Sequence, residues 1–267
     1  KMELGATGRG ENVEIGTYIE KSLESELSGN VIDVCPVGAL TSKPFRFKAR
    51  AWELQQHATV APHDCVGSNL FAHTRRGEVM RMVPRENEDI NEVWLSDRDR
   101  FSYEGLNSED RLSSPMVKVD GEWQNVDWET GLQAAVDAVR AVIDGHGADQ
   151  MGVLVSPTST LEELSMVQAV ARGIGISNID HRLRQVDFSD QHNAPLCPTL
   201  GQALASLEGI DAALVIGGNP RKDQPIIGHR LRKAALAGAR ISFINPVDYE
   251  FLFDVHATCV EAPSNMV

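Results

Sequence analysis

The chain has 267 residues, 42% of them apolar, with 38 acidic side chains against 25 basic ones and a formal net charge of −13. That length suits one large domain, or two small ones with an extension, and the apolar content is enough for a real core. The acidic balance has the opposite sign to that of a free nucleic-acid binder, and no apolar run approaches the length of a membrane span.

The first block covers residues 1–50. Gly5, Gly8 and Gly10 make its start loop-like, and Val13 to Ile19 reads as a short strand. Ser28 ahead of Gly29-Asn30-Val31-Ile32-Asp33-Val34 predicts a short capped helix that stops at Cys35-Pro36. Ser42 followed by Lys43-Pro44 predicts a second helix start. Residues 51–110 have β character. Trp52 to Val60 partly alternates, and Leu70–Thr74 and Val79–Val83 flank Arg75-Arg76-Gly77 as a hairpin.

Residues 111–267 change pattern. Asp120-Gly121 between Met116–Val119 and Glu122–Val126 is a strong hairpin signal, and Asp127 then caps a helix to about Asp144. Apolar positions in that helix, from Leu132 to Ile143, follow helical spacing. Gly152–Val155 and Ala212–Ile216 read as buried strands, Leu161–Arg172 as a helix ended by Gly173, Ile226–Ala237 as a helix ended by Gly238, and Ile241–Ile244 as a strand. Strand–helix–strand alternation of this kind implies a parallel α/β sheet.

Four cysteines, Cys35, Cys65, Cys197 and Cys259, are widely and irregularly spaced without a CxxC pair. A self-contained zinc or cluster site is therefore not expected, and disulfides are not implied. Cys35 precedes proline, as the last ligand of an iron–sulfur cluster commonly does. It is either a buried structural thiol or one ligand whose partners lie upstream of Lys1. Both ends of the chain read as cut, as in an internal fragment.

Cys65 stands alone in Pro62-His63-Asp64-Cys65-Val66-Gly67-Ser68-Asn69, which reads as a structural loop, and Cys197-Pro198 as structural too. His63 and His73 share no helical face and make a weak metal pair. Gly217-Gly218-Asn219 follows a strand and precedes a helix, as a phosphate-cradling turn does, with Arg221, Lys222 and Asp223 expected at its mouth. A plain strand-to-helix turn fits equally well. Arg98-Asp99-Arg100-Phe101 reads as a buried ion-pair corner or a subunit contact. No catalytic residue is identified.

Taken together, Gly5-Ala6-Thr7-Gly8-Arg9-Gly10, the run from Ser28 through Cys35-Pro36-Val37-Gly38-Ala39-Leu40 to Pro44, and Arg46–Leu54 closely resemble the large iron–sulfur subunit of respiratory NADH–quinone oxidoreductase, complex I. Leu95-Ser96-Asp97-Arg98-Asp99-Arg100-Phe101-Ser102-Tyr103-Glu104-Gly105-Leu106-Asn107 is similar to the same family. The resemblance implies three regions: the C-terminal part of a ferredoxin-like four-iron domain (1–50), a small β-rich domain of the 4Fe-4S type lacking its cluster (51–110), and a truncated parallel-sheet α/β domain of the molybdopterin-oxidoreductase type (111–267).

It further implies that Cys35 is the fourth ligand of a 4Fe-4S cluster whose closely spaced cysteine trio lies upstream, together with a 2Fe-2S and another 4Fe-4S cluster. Pro36, Val37 and Ala39 would shape a dry pocket around it. Ser68 and Ser96 stand where some relatives have cysteines of an extra cluster, so none is expected at Cys65. The implied role is electron relay from NADH and flavin towards quinone, with proton translocation elsewhere in the complex. Implied partners are the flavin/NADH-binding subunit and the neighbouring iron–sulfur subunits, on the cytoplasmic side of the bacterial inner membrane. The other reading is a fragment of a molybdopterin-dependent oxidoreductase, such as a formate dehydrogenase relative.

Overall fold

The computed structural model describes residues 3–17, 22–182, 189, 192–195 and 198–266. In chain order the elements are β1 (Leu4–Thr7), β2 (Glu14–Thr17), α1 (Val31–Val34), β3 (Gln55–Val60), β4 (Asn69–Arg75), β5 (Glu78–Pro84), α2 (Asp97–Phe101), β6 (Met116–Val119), β7 (Glu122–Asn125), α3 (Trp128–His146), β8 (Gly152–Leu154), α4 (Leu161–Gly173), β9 (Asn178–Asp180), β10 (Ala212–Ile216), α5 (Pro220–Asp223), α6 (Pro225–Leu236), β11 (Arg240–Asn245) and β12 (Ala257–Val260). They form two compact units, residues 1–104 with 197–267 and residues 105–196.

Among the described residues the first unit holds three sheets. β1 and β2 pair antiparallel; β3, β4 and β5 form an antiparallel meander; β10, β11 and β12 form a parallel sheet in that order. The β4–β5 turn sits on Arg76 (φ 53°) and Gly77 (φ 84°). Positive φ at both central residues is the type I′ pattern, whose twist matches that of the strands. The parallel sheet packs its inner face on α6. Leu231, Ile241 and Phe243 are buried together, and Phe243 stacks on Phe251 with ring centroids 3.9 Å apart. Truncating a buried phenylalanine of this kind costs about 3–5 kcal/mol.

A second core of Ala61, Leu70 and Leu95, with Met82 against it, lies under the meander. Two buried polar side chains brace this unit. Asn91 donates to the carbonyls of Asn69, Arg85 and Trp94 and accepts from Asn69 N–H. Arg230 on α6 donates to the carbonyls of Glu88 and Ile90 and pairs with Glu208. Each satisfies groups whose burial would otherwise be costly.

The second unit holds the β6–β7 hairpin, turned at Asp120 and Gly121 (φ 51° and 90°), and the parallel pair β8–β9 on either side of α4. Asp127 caps α3 by accepting from Thr130 N–H at 2.8 Å. Thr160 and Glu163 form a capping box on α4.

The α/β class is present in both units. Several local expectations are corrected. No helix follows Ser42: residues 43–48 form turns, and Phe47 at φ 67° breaks any helical run. Ser28 does not cap α1; its hydroxyl bonds Asp97 instead. Only residues 14–17 of the expected Val13–Ile19 strand are β2, and Tyr18 and Ile19 lie outside the described residues. The strands at 152–155 and 212–216 exist but are not buried, because Leu154, Leu214 and Ile216 face solvent. The apolar stripe of α3 is likewise half covered, with Leu132 and Val136 exposed.

Candidate iron–sulfur site

α1 is a single turn, and Cys35 is its C-cap, with extended backbone (φ −79°, ψ 103°) that fits the proline behind it. The chain then curls back through Gly38 at φ 66°, a conformation glycine adopts without strain. This curl aims the backbone N–H groups of Leu40, Ala39, Val37 and Gly38 at the sulfur. The bond from Leu40 N–H leads in holding the thiol below its ordinary range; burial opposes it, and the other amides add to it. Such a concavity of amides favours the anionic form of a group placed in it.

Donors around a sulfur are also what tune a bound iron–sulfur centre, so the Cys35 loop fits one corner of a cluster. It supplies one corner only: among the described residues, no three His, Cys, Asp or Glu side chains converge to hold a metal. The expected dry pocket is not formed by these residues. Cys35 is half-buried, Pro36 and Ala39 are exposed, and Val37 is 82% exposed.

A second segment, 94–101, grips the turn that carries Cys35. Asn30 is buried; its amide donates to the carbonyls of Leu27 and Leu95 and accepts from Leu95 N–H. Asp97 accepts from Gly29 N–H at 2.6 Å and from the Ser28 hydroxyl at 2.5 Å. Arg100 donates through Nη2 to Asn30 and to Asp33. The charge density of this segment is visible in the sequence, but its partners lie some 65–70 residues away, where no local pattern reveals them.

The Cys65 loop is built differently. Cys65 is an exposed free thiol. Ser68 and Ser96 are fully buried. Ser96 caps α2 by accepting from Asp99 N–H, and its hydroxyl donates to the Asp99 carboxylate at 2.7 Å. That carboxylate also lies 2.8 Å from His63 Nδ1. Arg98 reaches Asp64 at 3.0 Å. Burial and the Asp99 charge push the Asp64 carboxyl up, against the pull of the Val66 N–H and Arg98. The expected ion-pair corner is therefore present. His73 accepts from Arg81 at 3.0 Å through Nδ1 and sits away from His63's partners. Cys197 lies outside the described residues, and Cys259 is an exposed free thiol.

The Gly217-Gly218-Asn219 turn is corrected in its surroundings. Arg221 and Lys222 are engaged by protein groups: both pair with Glu26, and Arg221 also donates to the carbonyls of Glu24 and Glu250. Opposed by burial, the Lys222 and Arg221 partners still hold the Glu26 carboxyl below its usual range. Asp223 accepts from Asn219 N–H at 3.4 Å, which places a carboxylate where a phosphate would go. Nearby, a half-open cleft of about 300 Å³ is lined by Trp94, His229, Phe251 and Phe253. Its arginines, Arg221 and Arg232, are both bonded to protein groups.

Three family models match the chain. One described as NADH-quinone oxidoreductase subunit 3, ferredoxin-like domain, matches residues 1–41. One described as NADH-ubiquinone oxidoreductase NDSU1/NuoG-like, 4Fe-4S domain, matches residues 54–104. The molybdopterin oxidoreductase model matches residues 111–257. Among curated proteins, the G subunit of NADH-quinone oxidoreductase from Rickettsia bellii is 39% identical over 243 residues, covering 90% of this chain and 35% of that protein.

The mitochondrial NADH dehydrogenase [ubiquinone] iron-sulfur protein 1 of Solanum tuberosum is 39% identical over 269 residues (97% and 35%). The 75 kDa subunit of NADH-ubiquinone oxidoreductase from Reclinomonas americana is 37% identical over 255 residues (88% and 35%). The chain thus spans about a third of the length of the curated relatives it matches. Acetylene hydratase from Pelobacter acetylenicus aligns at a TM-score of 0.49 and 12% identity over 71% of this chain and 27% of that one, a likeness too slight to argue from. The resemblance to the large iron–sulfur subunit holds, and by the match that runs through more than half of its length the chain belongs to the molybdopterin oxidoreductase family.

Proposed function

We propose that the chain is the middle part of an electron-relay subunit of a proton-translocating NADH–quinone oxidoreductase, with Cys35 as the fourth ligand of a 4Fe-4S cluster. The other three ligands would come from residues upstream of Lys1. The observation that carries the reading is the Cys35 loop: a thiol held below its ordinary range by four backbone amides, at the end of a one-turn helix stopped by proline. Bound there, a cluster supplies one-electron acceptance and donation. The chain's own part is to present a deprotonated sulfur, to direct N–H dipoles at it, and to hold the loop still through Asn30, Asp97 and Arg100.

The partners are the flavin/NADH-binding subunit and neighbouring iron–sulfur subunits, and the place is the cytoplasmic face of a bacterial inner membrane. No described helix is long and apolar enough to cross a membrane. The test is low-temperature electron paramagnetic resonance on membranes with the full-length subunit carrying Cys35→Ala. One four-iron signal is expected to vanish while the others persist. Retention of every signal overturns the ligand role.

The molybdopterin oxidoreductase match at residues 111–257 favours a second reading, an enzyme that binds the pterin itself. The Asp223 carboxylate at the Gly217–Asn219 turn speaks against phosphate binding there. Stoichiometric pterin and molybdenum in the purified full-length protein would favour the second reading; neither is expected.

A further inference from the structure

We propose that Arg100 and Asp97 are positioning residues for Cys35, and that the Arg100–Asp33 pair sets the charge beside the cluster it would hold. This rests on the ligand role of Cys35 given above. α1 is a single turn, too short to hold its own conformation in water. Its place is therefore fixed from outside. Both carboxylate oxygens of Asp97 are taken by Ser28 and Gly29, which lead into α1 just ahead of its N-cap Asn30. Arg100 Nη2 spans from Asn30 Oδ1 (3.0 Å) to Asp33 Oδ2 (2.5 Å), so one guanidinium ties the beginning of the turn to its end. Gly29 is pressed against this pair: a Cβ there would stand 2.8 Å from Arg100 Cδ and 2.8 Å from Asp97 Oδ1.

The charge argument follows from burial. The Arg100 side chain is 4% exposed and that of Asp33 29%. A guanidinium stays charged even when buried, and two opposite charges this close leave little net field. Asp33 stands two positions before Cys35. Without Arg100, its carboxylate loses its paired guanidinium and keeps Arg81, whose charge also acts on Asp33, as a more distant counter-charge. An uncompensated negative charge beside an electron acceptor disfavours the added electron.

The test is a redox titration followed by electron paramagnetic resonance, on membranes holding the assembled enzyme with the full-length subunit. Arg100→Gln is expected to lower the ratio of reduced to oxidised cluster in the Cys35-dependent signal by about tenfold at a fixed poise, or about 59 mV for one electron. Arg100→Lys keeps the charge and stays near wild type, and Arg100→Gln with Asp33→Asn recovers most of the shift. Asp33→Asn alone, at a half-exposed site, moves the potential upward, which keeps the proposal testable if Arg100→Gln does not assemble. An unmoved potential in either single variant overturns the proposal. So does a loss of signal that Asp33→Asn does not rescue, which marks Arg100 as packing only. A full set of signals in Cys35→Ala instead overturns the ligand assignment beneath it.

Discussion

Two regions of one compact unit match iron–sulfur domain models, and each contains one cysteine. Around Cys35 the backbone is arranged for the sulfur: four amides aim at it, and a distant segment clamps the turn that carries it. Around Cys65 the polar groups serve each other. Ser96 caps a helix and bonds Asp99, Asp99 meets His63, and Asp64 meets Arg98, while the thiol faces solvent. A cysteine alone does not make a ligand; the donors aimed at its sulfur and the anchors behind it do.

Substitutions that separate the two loops sharpen this contrast. The largest effect expected is at the thiols: Cys35→Ala abolishes one four-iron signal in the assembled enzyme, whereas Cys65→Ala leaves the spectrum unchanged. A changed spectrum in Cys65→Ala would erase the contrast. Next is Asn30→Ala, which strands buried partners at Leu27, Leu95 and Arg100. It should cost about 3 kcal/mol in denaturant unfolding, and a cost below about 1 kcal/mol would show that the clamp contributes little.

Ser96→Ala removes a cap and one Asp99 partner, for about 1–2 kcal/mol. It should leave the Cys35-dependent signal untouched, which spectroscopy on the same variant checks. Smaller still is the effect of Ser68→Ala. The Ser68 hydroxyl is buried and unpartnered, so its removal should be neutral or stabilise by up to about 1 kcal/mol, read as an unchanged or raised melting temperature.

Acid gives a further comparison within the meander. Burial first, and the Arg81 charge second, hold His73 below the usual imidazole range. Its Nδ1 accepts from Arg81, which requires the neutral ring. The unfolded chain therefore binds the proton first. Stability should be full above the unfolded value of about 6.5 and should fall as the pH drops below it towards the folded value. Melting curves from pH 7 to pH 5 test this against His73→Gln, in which that part of the slope should disappear.

Much of the local structure was legible. Arg76-Gly77 and Asp120-Gly121 announced their hairpins because only a few residue types accept positive φ. Asp127 and Gly238 marked helix ends for equally local reasons, whereas α4 runs through Gly173 and the left-handed glycine behind it is Gly175 (φ 88°). What failed was whatever depends on partners far away in the chain. Apolar runs at 152–155 and 212–216 were read as buried, yet periodicity reports a preference for cover and cannot report whether cover is present. The short strands β9 and β12 carry little pattern of their own and exist through pairing with β8 and β11. At the site, Cys35-Pro36 was readable, while the grip of Asn30 by Leu95 and of Ser28 and Gly29 by Asp97 was not.

The close approach at Gly29 has a consequence for engineering. The loop around Cys35 and the stretch from Trp94 to Phe101 interlock too tightly to be moved separately. A transplant of residues 28–40 alone into a foreign scaffold would leave Asp97 and Arg100 behind and deliver a floppy thiol. The smallest portable piece therefore contains both stretches, and a library that varies Gly29 must vary Arg100 with it.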